Sequence, residues 1–255
     1  MNKKHYFFII VFSYLLFLIA TIPVGTVIKT INTNTPIEIR GATGTIWSGQ
    51  AISITVNKTI HLENTEWSFT AWKLLIGQVT FQINSHYDKQ TIEGEVGSSF
   101  LGQYYIDDFT TKIAAGKLAE LANIPLVQLS GDITFNIDHA HWKKDTLPLA
   151  IGTITWDSAA ITVADTVTLG RVAIALSEND EQLLNAEISS KGGDILINGN
   201  AELIPEANYS ADIKLSPTSS ANGNIKNSLA LFAKKQKNGD FLIKKTGQLN
   251  QLGFQ

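Results

Sequence analysis

Five times along this chain a glycine is followed by any residue, Ile or Val, any residue, and a large apolar residue. The pattern is read in Gly77-Gln-Val-Thr-Phe81, Gly131-Asp-Ile-Thr-Phe135, Gly152-Thr-Ile-Thr-Trp156, Gly170-Arg-Val-Ala-Ile174 and Gly193-Asp-Ile-Leu-Ile197. Apolar residues two apart share one face of a strand. A glycine ahead of them lets the backbone take a turn or bulge that a Cβ hinders. From Gly131 the glycines are spaced by 21, 18 and 23 residues, about one hairpin each and too irregular for a solenoid of fixed repeat. The pattern predicts a meander of antiparallel strands, each entered through a glycine.

The same alternation runs outside the repeat, in Ile52, Ile54 and Val56, in Val79, Phe81 and Ile83, and in Tyr209, Ala211, Ile213 and Leu215. A sheet that is apolar on one face must cover it by folding over, by a second sheet or by a ligand. Ten or more such strands in sequence predict a mainly β domain: a long, curled antiparallel sheet, trough-like or partly closed, with exposed edges. Helical signals are few. Phe69 to Ile76 reads as one or two helical turns stopped by Gly77, and Thr111 to Asn123 as a short helix started by Asp107 and Asp108. The end reads as a hairpin, Leu229 to Lys235 and Asp240 to Ile243, joined at Asn238-Gly239.

The N-terminus sets the location. Lys3 and Lys4 precede Tyr6 to Gly25, which carries no charged side chain, and the next charge is Lys29. Twenty apolar residues suffice to cross a hydrocarbon core of roughly 30 Å. Residues 1–28 are therefore expected to be a cytoplasmic end and an uncleaved transmembrane signal anchor, with the lysines inside. Residues 29–36 read as a polar tether. Residues 37–255 read as a periplasmic β domain, with lobes 37–125 and 126–255 as an alternative division at Pro125. The expected place is a bacterial inner membrane, single-pass, with the bulk of the chain in the periplasm.

Chemistry is scarce. The 255 residues include no cysteine, so thiolate metal sites, disulfides and cysteine nucleophiles are excluded together. A net charge of −3 leaves no electrostatic footprint for nucleic acid. No nucleophile elbow, Walker loop, dinucleotide fingerprint or zinc-protease helix occurs. His139 and His141 stand two apart on a strand and could offer two ligands to a metal, but no third is placed by spacing, so a strand-end pair is the plainer reading. Lys234, Lys235, Lys237, Lys244 and Lys245 flank the closing turn, either to meet an acidic partner or to protect an edge. Neither catalytic, cofactor nor metal residues are expected.

The remaining signal is aromatic. Trp47, Trp67 and Trp72 fall within 26 residues, in Gly44-Thr-Ile-Trp-Ser-Gly49 and Trp67…Trp72-Lys-Leu-Leu-Ile-Gly77. With a short cytoplasmic end and one anchor before it, this module resembles the N protein of bacterial type II secretion systems (the general secretion pathway N family). It is also similar, more weakly, to the N-terminal region of AsmA-like proteins. The first resemblance implies a non-enzymatic accessory component of the machinery that moves folded periplasmic proteins across the outer membrane. Its partners would be other inner-membrane components of that machinery. It implies a structural family motif of Gly44, Trp47, Gly49, Trp67, Trp72 and Gly77. The second implies a lipid-handling groove with phospholipid as partner.

Overall fold

The computed structural model describes residues 3–248 apart from 122–127, 145, 164, 180, 182, 205–207 and 231–232. Its contacts divide the chain into two compact units, Met1–Glu95 and Val96–Gln255. The alternative division at Pro125 falls outside the described residues.

In the first unit, α1 (Lys3–Ala20) and α2 (Val24–Asn34) precede β1 (Ile37–Arg40), β2 (Thr43–Gly44), β3 (Ser48–Val56) and β4 (Ile60–Phe69). A 3-10 helix (Ala71–Ile76) leads to β5 (Gln78–Tyr87), and β6 (Gln90–Ser99) runs across the division. The strands are antiparallel in the order β1-β3-β4-β5-β6, with β2 beside the start of β3.

At the N-terminus the structure differs from the expected pattern in two places. The apolar run from Tyr6 to Gly25 is not one helix, because Pro23 has no N–H to continue it and disfavours helical backbone at Ile22. Among the described residues no helix is long and apolar enough to cross a membrane. The segment read as a tether is helical as far as Asn34, and Asn32 fixes it. Its amide accepts from Ile39 N at 2.9 Å and donates to Ile39 O at 3.2 Å, so it pairs with β1 as a strand neighbour would.

The second unit holds β7 (Gln103–Ala114), α3 (Ala115–Leu121), β8 (Gln128–Lys143), β9 (Leu149–Thr162), β10 (Thr166–Glu178), β11 (Leu184–Lys191), β12 (Ile195–Ile204) and β13 (Asn208–Pro217). They are followed by α4 (Gly223–Leu229), β14 (Lys234–Lys235) and β15 (Phe241–Gln248). The order is sequential from β7 to β13 and then β15-β14, so the last hairpin is inserted in reverse. Among the described residues its last strand in this order, β14, remains an edge.

The mainly β, sequential antiparallel reading holds within both units. The helix expected from Thr111 is shorter: Thr110, Thr111 and Ile113 continue β7 and pair with Asn136, Phe135 and Ile133. β-branched residues with an alternating partner strand favour the pleated surface over a helix of thirteen residues. The acidic pair expected at a helix start therefore lies within β7. Asp107 pairs with His139, while Asp108 stands within the strand at a positive φ of 49°.

The repeat glycines divide into two kinds. Gly77 and Gly193 lead into strands as expected. Gly131, Gly152 and Gly170 lie inside β8, β9 and β10, at or opposite places where the register shifts. There the glycine serves the bulge rather than the strand entry, and bulges add local twist.

A hydrophobic core closes in this unit. Leu169, Val172, Ile195 and Leu215 from the sheet meet Ile225 and Leu229 of α4, with Phe241 only 2% exposed. Each such side chain contributes about 1.5–3 kcal/mol through burial.

Candidate functional site

The Gly44–Gly49 loop is a latch. Thr45 N donates to Ser48 O at 2.9 Å, and the Thr45 hydroxyl accepts from Trp47 N and Ser48 N at 3.2 and 3.1 Å. The two glycines make the narrow loop feasible. Gly44 has φ +96°, and a Cβ there would stand 2.6 Å from Ser48 O. A Cβ on Gly49 would stand 2.5 Å from Thr43 O and 2.5 Å from the Trp67 ring.

The loop aims Trp47 back at the N-terminal helix. Its indole Nε1 donates to Ile19 O at 2.7 Å, and Ile46 N donates to Ile22 O at 3.1 Å. The last carbonyls of a helix have no α-helical partner within it, so the Trp47 indole satisfies one that α1 leaves open, and Ile46 N satisfies a carbonyl in the turn that follows. On the sheet side, Phe69 N donates to Trp47 O at 2.7 Å, and the Phe69 ring lies 4.8 Å from Trp47 and 5.4 Å from Phe81. Trp67 Nε1 donates to Thr45 O at 3.2 Å. Helix end, loop and the two strands β4 and β5 are thus joined through two indoles and two phenyl rings.

Beside the latch opens a cleft of about 620 Å³, whose lining includes Gln50, Glu66, Trp67, Gln82, Asn84 and Glu93. Amides and carboxylates dominate, with Asn84 Nδ2 donating to Glu93 Oε1 at 3.3 Å. Such a surface can hydrogen-bond a polypeptide.

Four of the six expected motif residues, Gly44, Trp47, Gly49 and Trp67, come together here. Trp72 and Gly77 belong to the next loop. Gly77 ends the 3-10 helix in the left-handed region (φ 77°), its N–H donating to Leu74 O at 3.0 Å. Trp72 stands 61% exposed.

His139 and His141 each stand near a carboxylate, but only His139 is hydrogen-bonded to one. His139 Nδ1 lies 2.5 Å from Asp107 Oδ1 on the neighbouring strand, and His141 Nδ1 lies 3.7 Å from Glu178. Among the described residues no group of three or more His, Cys, Asp or Glu could hold a metal ion. Of the closing lysines, Lys244 pairs with its cross-strand neighbour Asp212 at 2.6 Å. Lys214 reaches Asp240 at 2.9 Å, and that bond, with help from Ser216 and Asn238, holds the Asp240 carboxyl below its ordinary value.

Sequence reasoning missed a second cleft. In the second unit α4 stands over the sheet and leaves an apolar cleft of about 470 Å³, lined by Ile161, Val167, Leu169, Ile197, Ile225 and Leu229 among others. The signal was present. Asn222 accepts from Ile225 N at 2.9 Å as a helix N-cap, and Ile225 and Leu229 follow at the four-residue spacing of a helix face.

With this geometry in hand, the comparisons decide the family. Residues 35–244 match the family described as type II secretion system (T2SS), protein N. The chain belongs to the type II secretion system protein N family. The type II secretion system protein N of Vibrio cholerae serotype O1 is 22% identical over 221 residues, covering 84% of this chain and 85% of that protein. The fimbrial-like protein FimF of Salmonella typhimurium is 33% identical over 129 residues, covering 46% of this chain and 73% of that protein. No solved structure matches. The protein N match spans the latch, the polar cleft and nearly all of the second unit, whereas the fimbrial-like similarity covers less than half of the chain. The family belongs to type II secretion, and protein transport is the process in which this chain takes part.

Proposed function

We propose that the chain is an inner-membrane-anchored, non-enzymatic accessory component of a type II secretion system. It aids export of folded periplasmic proteins across the outer membrane through contacts with other inner-membrane components of the machinery. The observation that carries this reading is the family match over residues 35–244. The polar cleft beside the latch supports contacts with polypeptide rather than chemistry.

Anchoring is supported by α1. From Tyr6 to Ile19 its large apolar side chains are exposed around the whole helix, between 37% and 71%. A helix apolar all round belongs in a core or a bilayer. Its 18 residues extend about 27 Å, a little short of a hydrocarbon core of roughly 30 Å. In this reading Lys3 and Lys4 stay on the cytoplasmic side, and residues 37–255 lie in the periplasm.

The test is a clean deletion with complementation, read in the culture medium. Secreted substrates are expected to accumulate in the periplasm while envelope phospholipid stays unchanged. Unchanged secretion, under conditions in which the system is needed, contradicts the reading.

A second reading is favoured by the apolar cleft under α4: an AsmA-like groove that binds phospholipid. Native mass spectrometry of gently extracted protein checks it. Bound phospholipid that is lost in an Ile225→Asp variant supports this reading, and protein free of lipid excludes it.

A further inference from the structure

The turn between β4 and β5 presents its apolar side chains outward. Leu75 is 90% exposed, Trp72 61%, Ile76 60% and Leu74 42%. The one charge in the turn is directed inward. Lys73 forms a close ion pair with Glu95, its side chain only 11% exposed, and its ammonium stands 5.9 Å from the Trp72 ring. The cation is neutralised against the sheet instead of covering the apolar tip, so the tip is both greasy and uncharged.

Its place in the first unit gives the tip an occupant. Phe69, the last residue of β4, bonds to Trp47, and Trp47 bonds to Ile19 in the final turn of α1. The 3-10 helix begins two residues after Phe69, so it lies at the sheet end where α1 terminates.

The opposite end of these strands differs. β4 and β5 have ten residues each, which separates the two ends by about 33 Å. The turns there are Asn57-Lys58-Thr59 and Asp88-Lys89, polar and charged. One end of the sheet is built for water. At the other, Ile46, Trp47, Trp72, Leu74, Leu75 and Ile76 gather near the end of an apolar helix.

We infer that the Ala71–Ile76 turn is an interfacial foot, which enters the headgroup region of the phospholipid bilayer beside the point where α1 leaves it. Trp72 suits that depth, because its ring is apolar and its N–H can meet headgroup or water. Leu74, Leu75 and Ile76 add apolar area, the main source of interfacial binding. A single helix leaves the latched sheet free to tilt with it in the bilayer, and a second contact fixes the angle at which the polar cleft faces the membrane. The inference rests on the reading that α1 enters the bilayer.

The chain has no cysteine, so single cysteines report one position each. Full-length Leu75→Cys, Lys58→Cys and Phe12→Cys variants, each labelled with an environment-sensitive fluorophore, are placed in nanodiscs of phosphatidylethanolamine and phosphatidylglycerol. Doxyl-labelled lipids serve as quenchers. The label at 75 is expected to shift to the blue and lose most of its emission to a shallow quencher. The label at 58 should behave as in water, and the label at 12 should respond to a deep quencher. If the label at 12 is quenched while the label at 75 matches that at 58, the foot is overturned and the anchor stands. If the label at 75 is quenched and that at 12 is not, the foot stands and the anchor is overturned. Quenching at neither position overturns both.

Discussion

The two units differ in what they bury. In the second, Leu169, Val172, Ile195, Leu215, Leu229 and Phe241 meet in a closed cluster. In the first, the buried side chains are mostly small or hydroxylic: Ala51, Thr65, Thr80 and Ser85, with Thr65 and Ser85 sharing a hydroxyl bond of 2.8 Å. Its large apolar residues line α1 and the turn at Trp72–Ile76, facing out. A unit whose greasy side chains are exposed is stabilised by strand pairing, the Trp47 latch and whatever it rests upon. A unit whose greasy side chains are buried is stabilised by its own core.

The sharpest way to break this contrast is Phe241→Ala. Removing a fully buried ring costs about 3–5 kcal/mol through lost transfer energy and the cavity left behind. Hydrogen exchange of the full-length protein should show protection falling across β10 to β15 while β3 to β5 keep theirs. Equal loss in both units contradicts a core confined to the second.

Gly49→Ala probes the other unit. The new methyl would overlap Thr43 O and the Trp67 ring, and overpacking of this kind costs about 1–3 kcal/mol. Protection should fall in β2 to β4, with the second unit unchanged. An alanine tolerated without effect means that the latch loop relaxes freely and does not hold α1.

Much of this architecture was legible from the chain, for a physical reason. Period-two alternation reports which face of a strand is apolar, and it located β3, β5, β8, β9, β10, β12 and β13. The helical turn stopped by Gly77 was legible too, because a left-handed residue after a short apolar run has few other uses. The missed features depend on partners distant in sequence. Thr111 and Ile113 became strand because β8 lies beside them. Gly131 and Gly152 became bulge positions because the facing strand carries a different number of residues. The latch was visible only as a cluster of tryptophans and glycines, since nothing local to Trp47 says that its indole will seek a carbonyl 28 positions earlier.

Asp194 offers a smaller effect, within the second unit. Its carboxylate accepts from Thr168 N at 2.9 Å and from the Thr168 hydroxyl at 2.7 Å. The Thr168 hydroxyl, and then its N–H, hold the group below its ordinary value of 3.8. A depressed carboxylate stabilises the fold above the unfolded value, and the contribution is lost as pH falls through the lower folded value. Asp194→Asn should therefore cost about 1 kcal/mol at neutral pH. Melting temperatures of the two proteins should draw together as the pH falls below 3.8. A difference that stays constant across that range means that the carboxylate's charge plays no part in holding the β10 corner.

The smallest expected effect is the most telling for the comparison. Leu75 is 90% exposed, more than nearly any other large apolar residue described, so it gives the isolated fold almost nothing. Leu75→Ser should change stability by less than about 0.5 kcal/mol, the usual range for a surface site. Solution melting in mild detergent and exchange protection of β4 and β5 should match the parent. The substitution nonetheless removes the most protruding apolar group of the turn. If Leu75 serves an external surface, its loss should be silent in folding and visible only when a bilayer is present, as weaker retention of the first unit against lipid. A substantial loss of stability in detergent would show that Leu75 packs within the unit itself, and the first unit would then resemble the second in kind, differing only in the size of its core.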